Sequence, residues 1–330
     1  MPRVPPVITT TRPSIAIAPS LSRTRLLAYD AALRRFTEES LLVIADYVAE
    51  VLARGELAEL VVADPDHGAG MYAGEQLGDS IHRPWRVWVE LADRLGARLL
   101  TPRGADGEIA LRFEPLARDR VPARGEGREA YGTASGFARI HKLEDPGFVL
   151  DLREALDRAH LPPAPRVLAV GVNTGDELAV VYAAAPAARV TGIDHSDSAI
   201  VVARTRWPGA TFHVADITAP LATIGRFELV LAIGMLQSAE LDDRALLRRL
   251  VQDHLAPAGA VILGVPNCRY VDGEVSFGAR MRNFSQPELG LVIKDIAFYR
   301  KYLQQHHRQV FVTGRNYLFV TAVAEVSARM

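Results

Sequence analysis

The stretch Arg166–Leu178, RVLAVGVNTGDEL, constrains the fold more than any other part of the chain. Val167–Val170 is a short apolar run without polar alternation, the pattern of a strand buried on both faces. A turn carrying Gly171 and Gly175 follows, and Asp176–Glu177 then open a helix. A buried parallel strand that passes through a glycine turn into a helix start is the usual nucleotide-holding unit of an α/β protein. The helix start offers free backbone N–H groups, and the missing side chains let a ligand come close.

The flanking sequence continues the alternation. Phe148–His160 reads as a helix, stopped by Pro162–Pro163. After the first strand come a helix over Asp176–Ala185, a strand at Arg189–Ile193, a helix at Ser198–Arg206 and a strand at Thr211–Val214. Phe227–Ile233 is a fourth strand, Asp242–Leu255 a helix, and Ala260–Val265 a fifth strand. Glu288–Gln305 is a further helix, with Leu289, Val292, Ile293, Ile296 and Leu303 at helical spacing. Gln309–Thr313 and Tyr317–Ala322 form a hairpin around Gly314-Arg315-Asn316. Strands separated by helices imply a doubly wound, mostly parallel α/β sheet, and the closing hairpin turns the last strand antiparallel.

The N-terminal part has a different grammar. Residues 1–22 are rich in Pro and Thr, with no acid before Asp30, and read as a disordered tail. Residues 23–115 read as a smaller helical domain with a β-hairpin. A helical pattern from Leu26 carries Tyr29, Leu33, Phe36, Ile44, Tyr47, Val48 and Val51, as one helix or as two with a break near Glu39–Ser40. Pro84–Leu95 is a second helix, and Arg98–Thr101 with Glu108–Phe113 a hairpin. Helices followed by a hairpin are winged-helix-like, an α+β arrangement suited to dimerisation or substrate capping. Residues 116–147 are a linker, within which Tyr131–Pro146 is either a lid over the ligand site or an ordered connector. Residues 148–330 are then the nucleotide-binding domain.

Bulk properties close off several function classes. A net charge of -1 gives no global attraction to nucleic acid or to an anionic membrane. Nucleic acid would need a local basic patch. No apolar run approaches the ~18 residues of a membrane span. Cys268 is the single cysteine, which excludes an internal disulfide framework and fits a reducing, cytoplasmic setting. His67 with Asp64 and Asp66 is better explained as a turn than as a metal site, so no metal is expected.

From Arg166 to Ala322 the order of signals resembles the class I S-adenosylmethionine-dependent methyltransferases. The resemblance implies a seven-stranded sheet with a terminal antiparallel hairpin, unlike a nicotinamide-binding domain, and S-adenosyl-L-methionine as cofactor. It also implies site residues. Gly171, Asn173, Thr174 and Gly175 match the family's turn after the first strand, although Asn173 stands where a central Gly is usual. Asn tolerates the left-handed backbone that such a turn needs. Asp194 stands where an acid takes the ribose hydroxyls, with His195 beside it. Asp216 and Ile217 stand where the adenine is held, and Gly234 opens the segment beside the methyl group. Ala169 occupies a position that is commonly acidic, so another group must orient the methionine end. Asp176 and Glu177 are candidates.

Residues for chemistry and acceptor follow from the strand ends, because ligands bind outside the carboxyl ends of such sheets. Gln237, Asn267 and Tyr270 are the candidate catalytic residues, with His195 and His141 as further candidate bases. Arg269, Arg280 and Arg282 are candidates to clamp a carboxylate or phosphate. Cys268 invites comparison with cysteine-nucleophile RNA methyltransferases, but AIGMLQS lacks their second motif. The expected activity is methyl transfer to a small, anionic molecule. The alternatives are an RNA or protein methyltransferase with residues 23–115 as recognition module, and a non-catalytic binding or regulatory protein. A homodimer through the N-terminal domain is a further expectation.

Overall fold

The computed structural model describes residues 33–66, 72–105, 107–117, 127–219, 224–238, 241–267, 269–271, 274–276 and 292–325. The tail, His67, Cys268, Arg280 and Arg282 lie outside them. The chain divides into two compact units. One holds residues up to Val89 plus Leu99–Glu114, and the other holds Glu90–Arg98 and everything from Pro115 onward.

The first sheet holds strands β1 (Arg34–Arg35), β2 (Ala58–Ala63), β5 (Ala97–Leu99), β6 (Arg103–Ala105) and β7 (Glu108–Pro115), in the order β1-β2-β7-β5 with β6 also on β7. A small hairpin, β3 (Glu75–Leu77) and β4 (Ser80–His82), stands apart from that sheet. Helix α1 (Leu41–Ala53) starts where the Ser40 hydroxyl accepts from Val43 N, and buries Ile44, Val48 and Val51 at helical spacing. Helix α2 spans Trp85–Leu95. Strand β7 buries Ile109, Leu111 and Phe113 with period two, as a sheet with one covered face requires.

Two expectations need correction here. Residues 33–40 are not helical, because Arg34–Arg35 pair in parallel with Leu60–Val61. Strand β2, AELVVA, is absent from the sequence reading. It is apolar without alternation, so periodicity alone does not separate it from a helix. The unit is α+β, with more sheet than a helical domain closed by one hairpin.

The C-terminal unit carries a mixed, mostly parallel sheet of seven strands. In chain order these are β8 (Arg166–Val170), β9 (Arg189–Asp194), β10 (Thr211–Val214), β11 (Phe227–Ile233), β12 (Leu255–Pro266), β15 (Arg308–Thr313) and β16 (Tyr317–Ala324). Their spatial order is β10-β9-β8-β11-β12-β16-β15. Strands β8 to β12 run parallel, and β16 is antiparallel to both of its neighbours. Strand β12 begins five residues earlier than its apolar run, at Leu255, and the helix before it ends in a wide turn at Leu250–His254. A two-stranded ribbon, β13 (Arg269–Val271) and β14 (Glu274–Ser276), follows β12.

Both faces of this sheet are covered. One apolar cluster joins Leu168, Val170, Val230 and Leu263 to α6 (Asp243–Arg249) and α7 (Val292–Gln305) through Leu246, Leu247, Tyr299 and Leu303. The other joins Val167, Ala169, Leu229 and Leu231 to α3 (Pro146–Arg158), α4 (Leu178–Ala184) and α5 (Asp197–Arg206). Alternate residues of β8 therefore serve opposite clusters, which is why the strand reads as one continuous apolar run. The strand order reverses between β8 and β11, and ligands of open α/β sheets bind at such a switch point.

Candidate active site

Strand β8 ends in a turn with left-handed residues at every second position: Gly171 (φ 66°), Asn173 (φ 48°) and Gly175 (φ 74°). Asn173 thus takes up the backbone that its residue type tolerates. Side chains at the two glycines would also collide with what lies beneath. A Cβ at Gly175 would come within 2.9 Å of the Trp207 ring, and one at Gly171 within 3.0 Å of Met235.

The five N–H groups of this turn are all engaged within the protein. Those of Gly171 and Val172 donate to the Ile193 carbonyl (2.8 and 3.1 Å), and that of Gly175 donates to the Val172 carbonyl at 2.8 Å. Asn173 N donates to Asp194 Oδ2 at 2.8 Å, and Thr174 N to Asn173 Oδ1 at 2.8 Å. The turn itself is therefore not an open anion cradle. It is a rigid, preformed loop.

Asp194, at the end of β9, is buried. Its second oxygen, Oδ1, accepts from Ser196 N at 2.9 Å. The one carboxylate thus ties the turn after β8 to the start of α5, where the Ser196 hydroxyl caps Ala199 N. Each carboxylate oxygen keeps a lone pair for a further donor. An acid held this firmly at the switch point fits a pair of ribose hydroxyls.

A strap of short turns, Gly127–Asp145, lies against these elements. Glu129 Oε2 accepts from the hydroxyls of Ser196 (2.9 Å) and Ser198. Thr133 N donates to Ser198 Oγ at 3.0 Å, and Asn173 Nδ2 donates to the Tyr131 carbonyl at 2.9 Å. His141 stands 3.8 Å from Asp176, and Lys142 donates to Glu177. Asp145 ends the strap by capping α3, accepting from Gly147 N and Phe148 N.

The two acids that open α4 have separate environments. Asp176 is held by Arg206 and by the Thr174 hydroxyl. Glu177 is buried and lines a small cavity with Ala169, Gly171, Val172, Leu178, Leu231 and Ile233. The cavity is about the size of one water molecule. Burial works against the charge of Lys142, but the negative groups facing it, Glu177 first, outweigh this and raise its pKa above the ordinary lysine value. Lys142 is therefore charged at neutral pH. Lys142 also lies 5.7 Å from the Phe148 ring centroid.

The remaining expected residues divide by what holds them. Asp216 is exposed and accepts from both N and Oγ1 of Thr218 (2.8 and 2.7 Å), a turn that lowers its pKa together with the weaker fields of Arg128 and His195. His195 is exposed, and Ile217 packs partly on the core. Gly234 (φ 74°) follows β11, and a Cβ there would come within 2.5 Å of the Tyr317 hydroxyl. Gln237 buries its Oε1 without a hydrogen-bond partner among the described residues. Asn267 uses Nδ2 to hold the Arg315 carbonyl at 2.9 Å, so its side chain braces the terminal hairpin. Arg269 and Tyr270 lie on β13, and their side chains, like Arg280 and Arg282, lie outside the described residues. Among the described residues no cluster of His, Cys, Asp or Glu is placed to hold a metal ion.

Sequence reasoning missed Lys142, Glu129 and Tyr317. Nothing local distinguishes them, since their partners lie far along the chain. Tyr317, on β16, reaches Gly234 only because the last strand is inserted beside β12.

A doubly wound sheet with an antiparallel inserted strand, a left-handed turn after β8 and a buried acid ending β9 define the class I S-adenosylmethionine-dependent methyltransferases. The C-terminal unit is similar to this class, whose cofactor is S-adenosyl-L-methionine. Residues 167–259 match the family model described as a methyltransferase domain. The chain is 32% identical over 117 residues to a trans-aconitate 2-methyltransferase of Variovorax paradoxus, covering 36% of this chain and 44% of that protein. It is 31% identical over 137 residues to the one from Methylobacterium nodulans, covering 39% and 52%. The match thus spans about half the length of these curated relatives. Among solved structures it is similar to a TehB-like SAM-dependent methyltransferase from Corynebacterium glutamicum (TM-score 0.38, 18% identity, 53% of this chain and 88% of that one).

Proposed function

We propose that this protein transfers the methyl group of S-adenosylmethionine to a small molecule carrying an anionic group. The observation that carries the reading is the buried Asp194 carboxylate, tied by Asn173 N to a preformed left-handed turn at the switch point of the sheet. The residues present fit the cofactor: Asp194 takes the ribose hydroxyls, the turn Gly171–Gly175 lies along the nucleoside, and Asp216 with Ile217 flanks the adenine. When bound, the sulfonium supplies an already activated methyl group. The chain then has to bring an acceptor atom into line with that group and keep water out.

The groups around Gly234 are placed for that work. The Tyr317 hydroxyl lies beside Gly234 and within the field of Lys142, and Gln237 has an unused buried oxygen. Tyr270, Arg269, Arg280 and Arg282 belong to the segment after β12, from which an acceptor carboxylate or phosphate would be gripped. The relatives' name supports an anionic acceptor, since trans-aconitate is itself a small organic anion. No helix among the described residues is long and apolar enough to cross a membrane.

The test has two stages. Calorimetry must first find S-adenosylhomocysteine binding and no NAD binding. A panel of di- and tricarboxylates, phosphorylated metabolites, neutral alcohols and RNA is then incubated with methyl-labelled cofactor. Label in the carboxylates or phosphates is expected. Label in RNA alone would favour the N-terminal unit as a recognition module, and cofactor binding without any transfer would favour a regulatory role.

A further inference from the structure

Glu177 does not behave as an ordinary first-turn acid. It stands at the N-cap of α4 yet makes no capping hydrogen bond. Its residue is 7% exposed and lines a small cavity together with Ala169, Gly171, Val172 and Leu178. Oε1 takes Lys142, and no hydrogen bond reaches Oε2 from the described residues. Attraction to a helix start is worth about 0.3–1 kcal/mol, so the helix end alone gives little reason for drawing this acid inward. Lys142 is in a matching condition, since among the described residues Glu177 is the acceptor for one of its three ammonium hydrogens.

The pair also stands where a ligand's far end would come. Glu177 lines one small cavity with Ala169 and Gly171, at the start of the turn whose Asn173 N–H reaches Asp194. The short Ala169 side chain leaves the wall of that cavity free of the acid usual at its position. A carboxylate and an ammonium side by side, each with unused capacity, form the complement of an α-amino-acid head group, which carries the same two charges in reverse.

We propose that Glu177 and Lys142 hold the methionine end of the cofactor, Glu177 taking its α-ammonium and Lys142 its α-carboxylate. This rests on the reading of the site as one for S-adenosylmethionine. The strap residue Lys142 then serves two states: it neutralises Glu177 when the site is empty and shares it with the ligand when the site is filled.

The test compares S-adenosylhomocysteine with 5′-methylthioadenosine, which keeps the nucleoside and thioether but lacks the amino-acid end. Calorimetry is run on the full chain, on Glu177→Gln, on Lys142→Met and on the double variant, with circular dichroism to check folding. Each variant is expected to lose about tenfold or more in affinity for S-adenosylhomocysteine, while 5′-methylthioadenosine binding stays within about twofold. The double variant leaves no lone buried charge, so it decides the matter if either single variant unfolds. Unchanged S-adenosylhomocysteine affinity, or equal loss for both ligands, overturns the assignment while leaving the cofactor reading intact. Failure of the unaltered protein to bind either ligand overturns both.

Discussion

The two halves of the site are held by different means. The nucleoside half is local: Asp194 reaches only as far as Asn173 and Ser196, and every turn N–H has its acceptor before a ligand arrives. The methionine half is assembled from distant parts of the chain, with Glu177 meeting Lys142 of the strap across 35 positions. One half is stiff, with its central acid fixed by backbone donors. The other is an ion pair between a buried acid and a half-buried lysine. A rigid, satisfied half sets where the ligand lies, whereas a charged, half-satisfied pair discriminates between ligands that differ in their polar ends.

Ala169→Asp would break this contrast most severely. It restores an acid at the usual place but sets it on the wall of the cavity that Glu177 also lines. Two carboxylates there oppose one lysine, and we expect a loss of about 2–4 kcal/mol in stability by urea denaturation. Adding Glu177→Ala should recover most of it. A stable single variant would mean that the two side chains do not share that space.

Asp194→Ala comes next. It removes the acceptor of two backbone N–H groups as well as the ribose partner, and affinity should fall by about 1–3 kcal/mol. In contrast to Glu177→Gln, 5′-methylthioadenosine must suffer as much as S-adenosylhomocysteine. If only the latter weakens, the division of the site into these halves is wrong.

Asn173 separates backbone strain from the strap contact. Asn173→Gly keeps the left-handed turn and loses the bonds to Thr174 N and the Tyr131 carbonyl, whereas Asn173→Ala adds the cost of a positive φ, about 1 kcal/mol more. Thermal melting of the two variants measures that difference, and identical melting would remove the backbone argument.

The smallest effect belongs to Glu129. Its bond from Ser198, helped by Ser196, lowers its pKa below the ordinary 4.5 despite some desolvation. A carboxylate whose pKa is lower folded than unfolded adds stability that is fully present above about pH 4.5 and fades as the pH falls through the lower value. The group is largely solvated, so the gain is at most a few tenths of a kcal/mol, roughly. Glu129→Gln should flatten the acid limb of stability against pH, and an unchanged slope would show that the strap is not anchored there.

Much of the C-terminal unit was legible because its signals are local. The strands Arg166–Val170 and Phe227–Ile233 have the limits that their largely apolar runs indicate, since buried parallel strands carry few polar interruptions. Helix ends were less so: Asp242–Leu255 contains a wide turn and gives its last residue to β12, a change that hydrophobic period does not mark. In the N-terminal unit β2 was missed for a related reason, as AELVVA satisfies a strand and a helix alike.

The sequence by itself determined the backbone of the turn. Gly171, Asn173 and Gly175 are among the few residues that take left-handed φ at low cost, and an acid about 20 residues on completes the nucleoside half. Only the tertiary structure decided how the position left by Ala169 is served. Asp176 and Glu177 are equivalent acids in sequence, and burial turned one toward Arg206 and the other under the turn toward Lys142. Which side chain of a pair is drawn inward depends on the neighbours that the fold supplies. For Glu177 those neighbours are a lysine on the strap and the space left by a missing acid.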